Sequence, residues 1–187
     1  MPRAIVDIQN VGADAAEVLA HIGTSSFRDA YAAHSDPDDL EAHVKEFFSV
    51  QAVRACIETR QSSYVLASVD GQPGAFAKYR IAPCPVPAGA LHALELQQLY
   101  VLASHQRHGL GARLVQFLSK IAVRQQLQGI WLSCWEDADW ALSFYLKNGF
   151  SRVGTADFAV GSTTYCDYLL WLALEPECRK SASHSHT

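Results

Sequence analysis

Leu99-Tyr100-Val101-Leu102-Ala103-Ser104-His105-Gln106-Arg107-His108-Gly109-Leu110-Gly111-Ala112 is the stretch on which the fold turns. A β-rich run ends, a short polar loop follows, and a helix begins across two closely spaced glycines. Free amides at a helix start, together with the helix dipole, make an anion site, and glycine lets the backbone come close to phosphate oxygens. The spacing Gln106-x-x-Gly109-x-Gly111 is not the dinucleotide fingerprint, because no third glycine follows at the required offset. It also lacks the Gly-Lys-Ser/Thr of a nucleotide P-loop. By itself, the loop predicts an anion bound at a helix start.

Apolar spacing orders the chain on either side. Ala4 to Gln9 alternates as a short strand, and Asp14 to Tyr31 carries Val18, Leu19, Ile22 and Phe27 near helical spacing, with Gly23 as a candidate break. Ser35-Asp36-Pro37-Asp38-Asp39 is a helix start, with an Asp cap, a proline in the first turn and acids that suit the dipole. Leu40 to Phe48 and Val50 to Thr59 follow as helices. Ser63 to Ser68 and Gly74 to Ile81 form a hairpin around Asp70-Gly71. Pro83, Pro85 and Pro87 mark a loop, and His92 to Val101 is the long strand feeding the opening motif. Leu110 to Leu127 reads as a helix, Gly129 to Cys134 as a buried strand, and Ala138 to Lys147 as a helix stopped by Asn148-Gly149. Phe150 to Val160 and Thr164 to Leu174 close the pattern as two strands around Gly161-Ser162. The order β-α-α-α-β-β-β-α-β-α-β-β predicts one mixed α/β domain over residues 1–174, with an unstructured tail over 175–187.

Composition narrows the partners. The 187 residues suit one core, with 49% hydrophobic and 18% charged residues. A net charge of -4 argues against a basic stripe for nucleic acid and against an anionic membrane. No run reaches the ~18 apolar residues of a membrane span, and the N-terminal run carries Asp7 instead of a secretory pattern, so a cytoplasmic location is expected. Cys56, Cys84, Cys134, Cys166 and Cys178 lie far apart with no CxxC or Cys/His ligand spacing. Neither a disulfide framework nor a metal site is expected.

A second block lies downstream. Ile130-Trp131-Leu132-Ser133-Cys134-Trp135-Glu136 is followed by Ala141-Leu142-Ser143-Phe144-Tyr145-Leu146-Lys147-Asn148-Gly149-Phe150. Together the two blocks resemble the GNAT superfamily of N-acetyltransferases, a likeness that spans residues 3 to 174. The resemblance implies an α/β GNAT fold, with a central mixed, mostly antiparallel sheet of about seven strands splayed between the fourth and fifth and flanked by helices. It implies acetyl-CoA as cosubstrate, its pyrophosphate on Gln106, Arg107, His108, Gly109, Leu110, Gly111 and Ala112. Leu99, Tyr100, Val101, Phe144 and Lys147 would flank the rest of the cofactor. Tyr145 would be the general acid toward the departing thiolate, although an aromatic packed on the core reads the same way in sequence. Trp131 to Glu136, Val153-Gly154, Asp157 to Gly161, Asp167 and Ser26 to Tyr31 are similar to the PaiA-type branch, the bacterial spermidine/spermine N-acetyltransferases. One position departs: Ala138 stands where the family often has an Asn that bonds the cofactor arm. One lost hydrogen bond costs on the order of 1 kcal/mol, so weaker binding is expected rather than none.

Direct transfer needs a neutral amine, and an alkylamine with a pKa near ~10 arrives protonated at neutral pH. A carboxylate must take that proton. Glu95 is the first candidate, since it matches the family's Glu-Leu-x-x-Leu-Tyr-Val strand, and Glu136 is the alternative. Backbone N–H groups near Leu99 to Val101, where the family strand is bulged and unpaired, would meet the developing oxyanion. Cys134 has no neighbouring His and is not expected to be a nucleophile. The early helices carry Asp29, Asp36, Asp38, Asp39, Glu41 and Glu46, which either line a polyamine pocket or cap helices. The expected function is N-acetyl transfer to the amine of a small molecule or polyamine. A protein or peptide N-acetyltransferase and a non-catalytic acyl-CoA-binding module are the alternatives, and a homodimer is compatible with each.

Overall fold

Asp70 and Gly71 have φ of 48° and 79°, the left-handed geometry of a two-residue hairpin turn that suits right-twisted strands. They join β2 (Ser63–Val69) to β3 (Gln72–Ile81), with Val69 facing Gln72. The structure, a computed structural model, describes residues 4–86, 92–106, 108–160 and 163–174. The expected turn at Gly161-Ser162, the Pro87 end of the loop, Cys178 and the expected tail over 175–187 lie outside the described residues.

The sheet has seven strands in the order β1-β2-β3-β4-β5-β7-β6. Its other strands are β1 (Val6–Val11), β4 (Leu94–Val101), β5 (Gly129–Trp135), β6 (Ser151–Val160) and β7 (Thr163–Ala173). Every pairing is antiparallel except β4 with β5, which meet in parallel only at Leu94–Ile130 and Glu95–Trp131. Past those two pairs the strands part. The splay between the fourth and fifth strands is therefore present, and it opens toward Leu99 to Val101.

Strand alternation divides the core in two. Val65, Ala67, Ala75 and Ala77 face α4 (Leu110–Arg124), whose Leu114, Val115, Leu118 and Ala122 form its buried stripe. Tyr64, Leu66 and Phe76 face the opposite way, onto α1 (Ala16–Tyr31), α2 (Pro37–Phe48) and α3 (Val50–Glu58). Asp36 caps α2 by accepting from the Asp38 N–H at 2.9 Å, a contact worth about 1 kcal/mol. Leu114 and Leu118 are fully buried, and each contributes on the order of 2 kcal/mol. The apolar faces, more than the caps, thus hold the helices on the sheet.

Three details differ from the sequence reading. Gly23 does not break α1; a Cβ there would lie 2.3 Å from Phe48 Cδ1, so the glycine permits close packing of α1 on α2. Strand β1 starts at Val6 instead of Ala4, because its register is set by pairing Val6 with Val69. The bulge in β4 falls upstream of Leu99. Leu96 faces Tyr79 and Gln98 faces Lys78, which leaves Gln97 unmatched. The extra residue shifts the alternation, so that Leu94 and Leu96 before it and Leu99 and Val101 after it all join the α4-side cluster. Tyr100 is turned onto the α1 side.

Candidate active site

The first turn of α4 leaves its amides open. Its first intrahelical bond runs from the Arg113 N–H to the Gly109 carbonyl, so the N–H groups of Leu110, Gly111 and Ala112 have no partner within the helix. No side chain caps them. Gly109 has φ 73° and a Cβ there would meet no atom within 4 Å, so its glycine serves the backbone bend and leaves open space beside the amides. Gly111 is a glycine for a different reason: a Cβ would lie 2.9 Å from Phe144 Cζ, the ring that covers this turn. Gln106 ties the loop down by donating from Nε2 to the Val101 carbonyl at 3.3 Å. A helix of 15 residues starting on three free amides beside open space suits a phosphate-type anion.

A cavity of about 1120 Å³ runs from this turn through the splay to the α1–α2 side. On β4, the Leu102 N–H bonds the Gly74 carbonyl. By the two-residue alternation of an antiparallel ladder, Tyr100 also bonds toward β3, while the N–H groups of Leu99 and Val101 point into the cleft. These strand residues are paired with β3 and open on the β5 side alone, which corrects the expectation of a strand bulged and unpaired there.

Tyr145 reaches the cavity from α5 (Asp139–Lys147), held edge-on by Phe144 and Phe150 with ring centroids at 5.1 and 5.4 Å. Burial pushes its phenol well above its ordinary value, and the nearby Cys134 and Tyr31 add to the effect. Burial does the same to Tyr100, and the nearby phenols of Tyr31 and Tyr145 add to the effect, so three phenols converge here. Cys134 is 6% exposed, and burial raises its thiol to about 11. It is a protonated thiol at neutral pH and no nucleophile.

Among the other sequence-derived candidates, Glu95, Leu99, Tyr100, Val101, Gln106 and Phe144 line the cavity, as do Gly109 through Ala112. Glu95 is ion-paired with Arg80 on the adjacent strand, and its side chain is 15% exposed. His108 and Lys147 are exposed and do not line the cavity: Lys147 lies past the turn that carries Phe144, and His108 Nδ1 sits 3.3 Å from the His105 carbonyl. Arg107 lies outside the described residues. Glu136 is exposed at the end of β5 and outside the lining. Ala138 is buried at the start of α5 and offers no side-chain hydrogen bond.

The early acids do not form one pocket. Asp36 caps α2, and Glu41 is held by Arg28 at 2.6 Å, whose guanidinium lowers its pKa. Only Asp36 and Asp39 of that group line the cavity, both exposed at its mouth. The carboxylate placed deeper is Asp167 of β7, across from Trp135 of β5. In sequence it entered only through the PaiA-type resemblance. The physical signal was an acid inside the aromatic run Tyr165-Cys166-Asp167-Tyr168-Leu169, where a strand would otherwise bury apolar groups.

A family model described as Acetyltransferase (GNAT) family matches residues 23–150. The chain is 26% identical over 161 residues to an uncharacterized N-acetyltransferase in the pepI 3' region of Lactobacillus delbrueckii subsp. lactis, covering 86% of this chain and 92% of that relative. The PaiA N-acetyltransferase of Thermoplasma acidophilum, solved in complex with coenzyme A, superposes with a TM-score of 0.74 at 20% identity, covering 90% of this chain and 99% of that one. A ribosomal-protein alanine N-acetyltransferase from Escherichia coli superposes with a TM-score of 0.65 at 16% identity, covering 94% of this chain and 98% of that one. The two share the architecture of this chain.

Proposed function

Since the chain belongs to the acetyltransferase (GNAT) family, we propose that it carries the acetyl group of acetyl-CoA to the primary amine of a small molecule by direct attack. The observation that carries this reading is the continuous cavity through the β4–β5 splay. It joins the free amides of α4 at one end to Tyr145 and the cleft-facing strand amides in the middle.

The residues divide the work as follows. Leu110, Gly111 and Ala112 hold the pyrophosphate with their N–H groups, and Phe144 and Leu99 flank the arm. The cofactor supplies an activated thioester. The N–H groups of Leu99 and Val101 face the thioester oxygen, where negative charge grows as nitrogen attacks. Glu95, fixed by Arg80, accepts the proton that the ammonium must lose first, through water. Tyr145 gives its phenolic proton to the leaving sulfur. For a phenol raised by burial, complete transfer to a thiolate with an ordinary pKa of about 8.5 is uphill. It becomes downhill when the surplus proton on the new amide nitrogen returns to the same oxygen. The C–N bond then forms, the C–S bond breaks, and one proton leaves through Glu95.

The test is Tyr145→Phe. Loss of a positioned proton donor lowers kcat on the order of a hundredfold or more, while acetyl-CoA affinity stays within about twofold. An unchanged kcat would remove Tyr145 from the chemistry.

A further inference from the structure

Two buried side-chain atoms among the described residues have no hydrogen-bond partner, Asp167 Oδ1 and Ser26 Oγ, and both residues line the same cavity. Buried polar atoms are satisfied in folded proteins almost everywhere, so these two leave hydrogen-bonding capacity in the cavity for water or a bound molecule. Asp167 lies directly across the β5–β7 ladder from Trp135, with Ser133, Glu136 and Tyr31 of α1 as further neighbours. Tyr31 lies 6.3 Å from Trp135 and 6.0 Å from Trp140, and His34 lies 6.2 and 5.6 Å from the same two rings, centroid to centroid. The four rings close a circuit, and all four line the cavity. An ammonium held in the cavity beside these rings would lie against aromatic faces, which attract positive charge within ~6 Å.

Resting on the acetyltransferase reading, we propose that the acceptor is a primary alkylamine bound as its ammonium ion, with Asp167 as its counter-charge and Tyr31, His34, Trp135 and Trp140 as its walls. The geometry also selects against amino acids, because a carboxylate next to the amine would lie beside Asp167. Charge supports the assignment from both sides. Burial raises the Asp167 carboxyl above its ordinary range, with the Ser133 hydroxyl opposing and Glu136 adding, so its surroundings disfavour the very charge that an ammonium would restore. Burial lowers His43, which stacks on Phe27 at 4.3 Å, so it adds no cation of its own at neutral pH. Asp167 here binds and orients the amine, leaving the proton transfers to Glu95 and Tyr145.

The experiment measures binding apart from turnover. Tryptophan fluorescence is followed as the full chain, with acetyl-CoA absent, is titrated with n-butylamine. Two controls accompany it: 1-butanol, its neutral counterpart, and norvaline, the same skeleton with a carboxylate beside the amine. Butylammonium should bind saturably and at least about tenfold more tightly than either control. Asp167→Asn, close in shape, should weaken it about tenfold or more, and Trp140→Leu, at an exposed ring, by several-fold, with acetyl-CoA affinity retained as proof of folding. Equal affinity for butanol or norvaline would overturn the proposal. So would an unchanged Asp167→Asn, or no binding of the amine. Binding as described, with no acetyl transfer in a separate thiol-release assay, would sustain the pocket and remove the acetyltransferase mechanism instead.

Discussion

Gly109→Ala separates the structural cost of the loop from its role in binding. At φ 73° an alanine pays the left-handed penalty of ~1–2 kcal/mol, offset in part by ~0.4–1 kcal/mol from the stiffer unfolded chain. The Cβ meets no atom within 4 Å, so no clash term is added. The net loss is on the order of 1 kcal/mol, which for a chain of this length lowers Tm by roughly 2–4 °C. The methyl group also enters the open space beside the free amides of Leu110 to Ala112. Acetyl-CoA affinity should fall about tenfold, which removes roughly 1.4 kcal/mol of ligand-induced stabilisation at saturating concentration. Gly71→Ala is the matched control: its φ is 79°, its Cβ position is equally open, and it sits on the β2–β3 turn away from the cavity. Thermal melts of both variants, with and without acetyl-CoA, should show similar drops alone and a reduced ligand shift only for Gly109→Ala. Equal ligand shifts in the two variants would refute the assignment of this turn to the pyrophosphate.

Other expectations follow from the same geometry. Glu95→Gln should lower kcat on the order of a hundredfold at neutral pH with little change in acetyl-CoA KM, and its lost pair with half-exposed Arg80 should cost under about 1 kcal/mol in a chemical melt. Asp167→Asn should stabilise the ligand-free protein at neutral pH. The folded state holds this carboxyl above its ordinary value of about 3.9, so its contribution to stability is greatest below that pH and is lost as pH rises through the folded value. The difference in Tm between variant and parent should therefore shrink toward pH 4, and a difference that grows on acidification would contradict the burial argument. Gly111→Val should disturb Phe144, whose ring lies 2.9 Å from the added Cβ, and raise acetyl-CoA KM more than it lowers kcat.

The elements that depend on local chemistry were legible in the sequence. The Asp36 cap, the Asp70-Gly71 turn and the Gly109 bend each announce a backbone conformation that few residues adopt, and the α4 stripe follows helical spacing. What required the partner strand was less visible. The unmatched Gln97 arises only from the register of β4 on β3, and the open edge at Leu99 and Val101 exists only because β5 leaves after two pairs. The acceptor side was harder still. Among the acids clustered in sequence at residues 36–41, Asp36 is a cap and Glu41 an ion-pair partner, whereas Trp140 and Asp167 meet Tyr31 across more than a hundred intervening residues. Glycine motifs mark where backbone meets ligand, but side-chain pockets assembled from distant strands and helices carry no such local mark.

Acetyl transfer itself is tested most directly by following thiol release from acetyl-CoA with n-butylamine present and absent, and weighing the amine product by mass spectrometry. The account predicts release that depends on the amine, a product heavier by one acetyl group, and loss of both in Tyr145→Phe. Saturable acetyl-CoA binding with no amine-dependent release, across primary amines including spermidine, would contradict it.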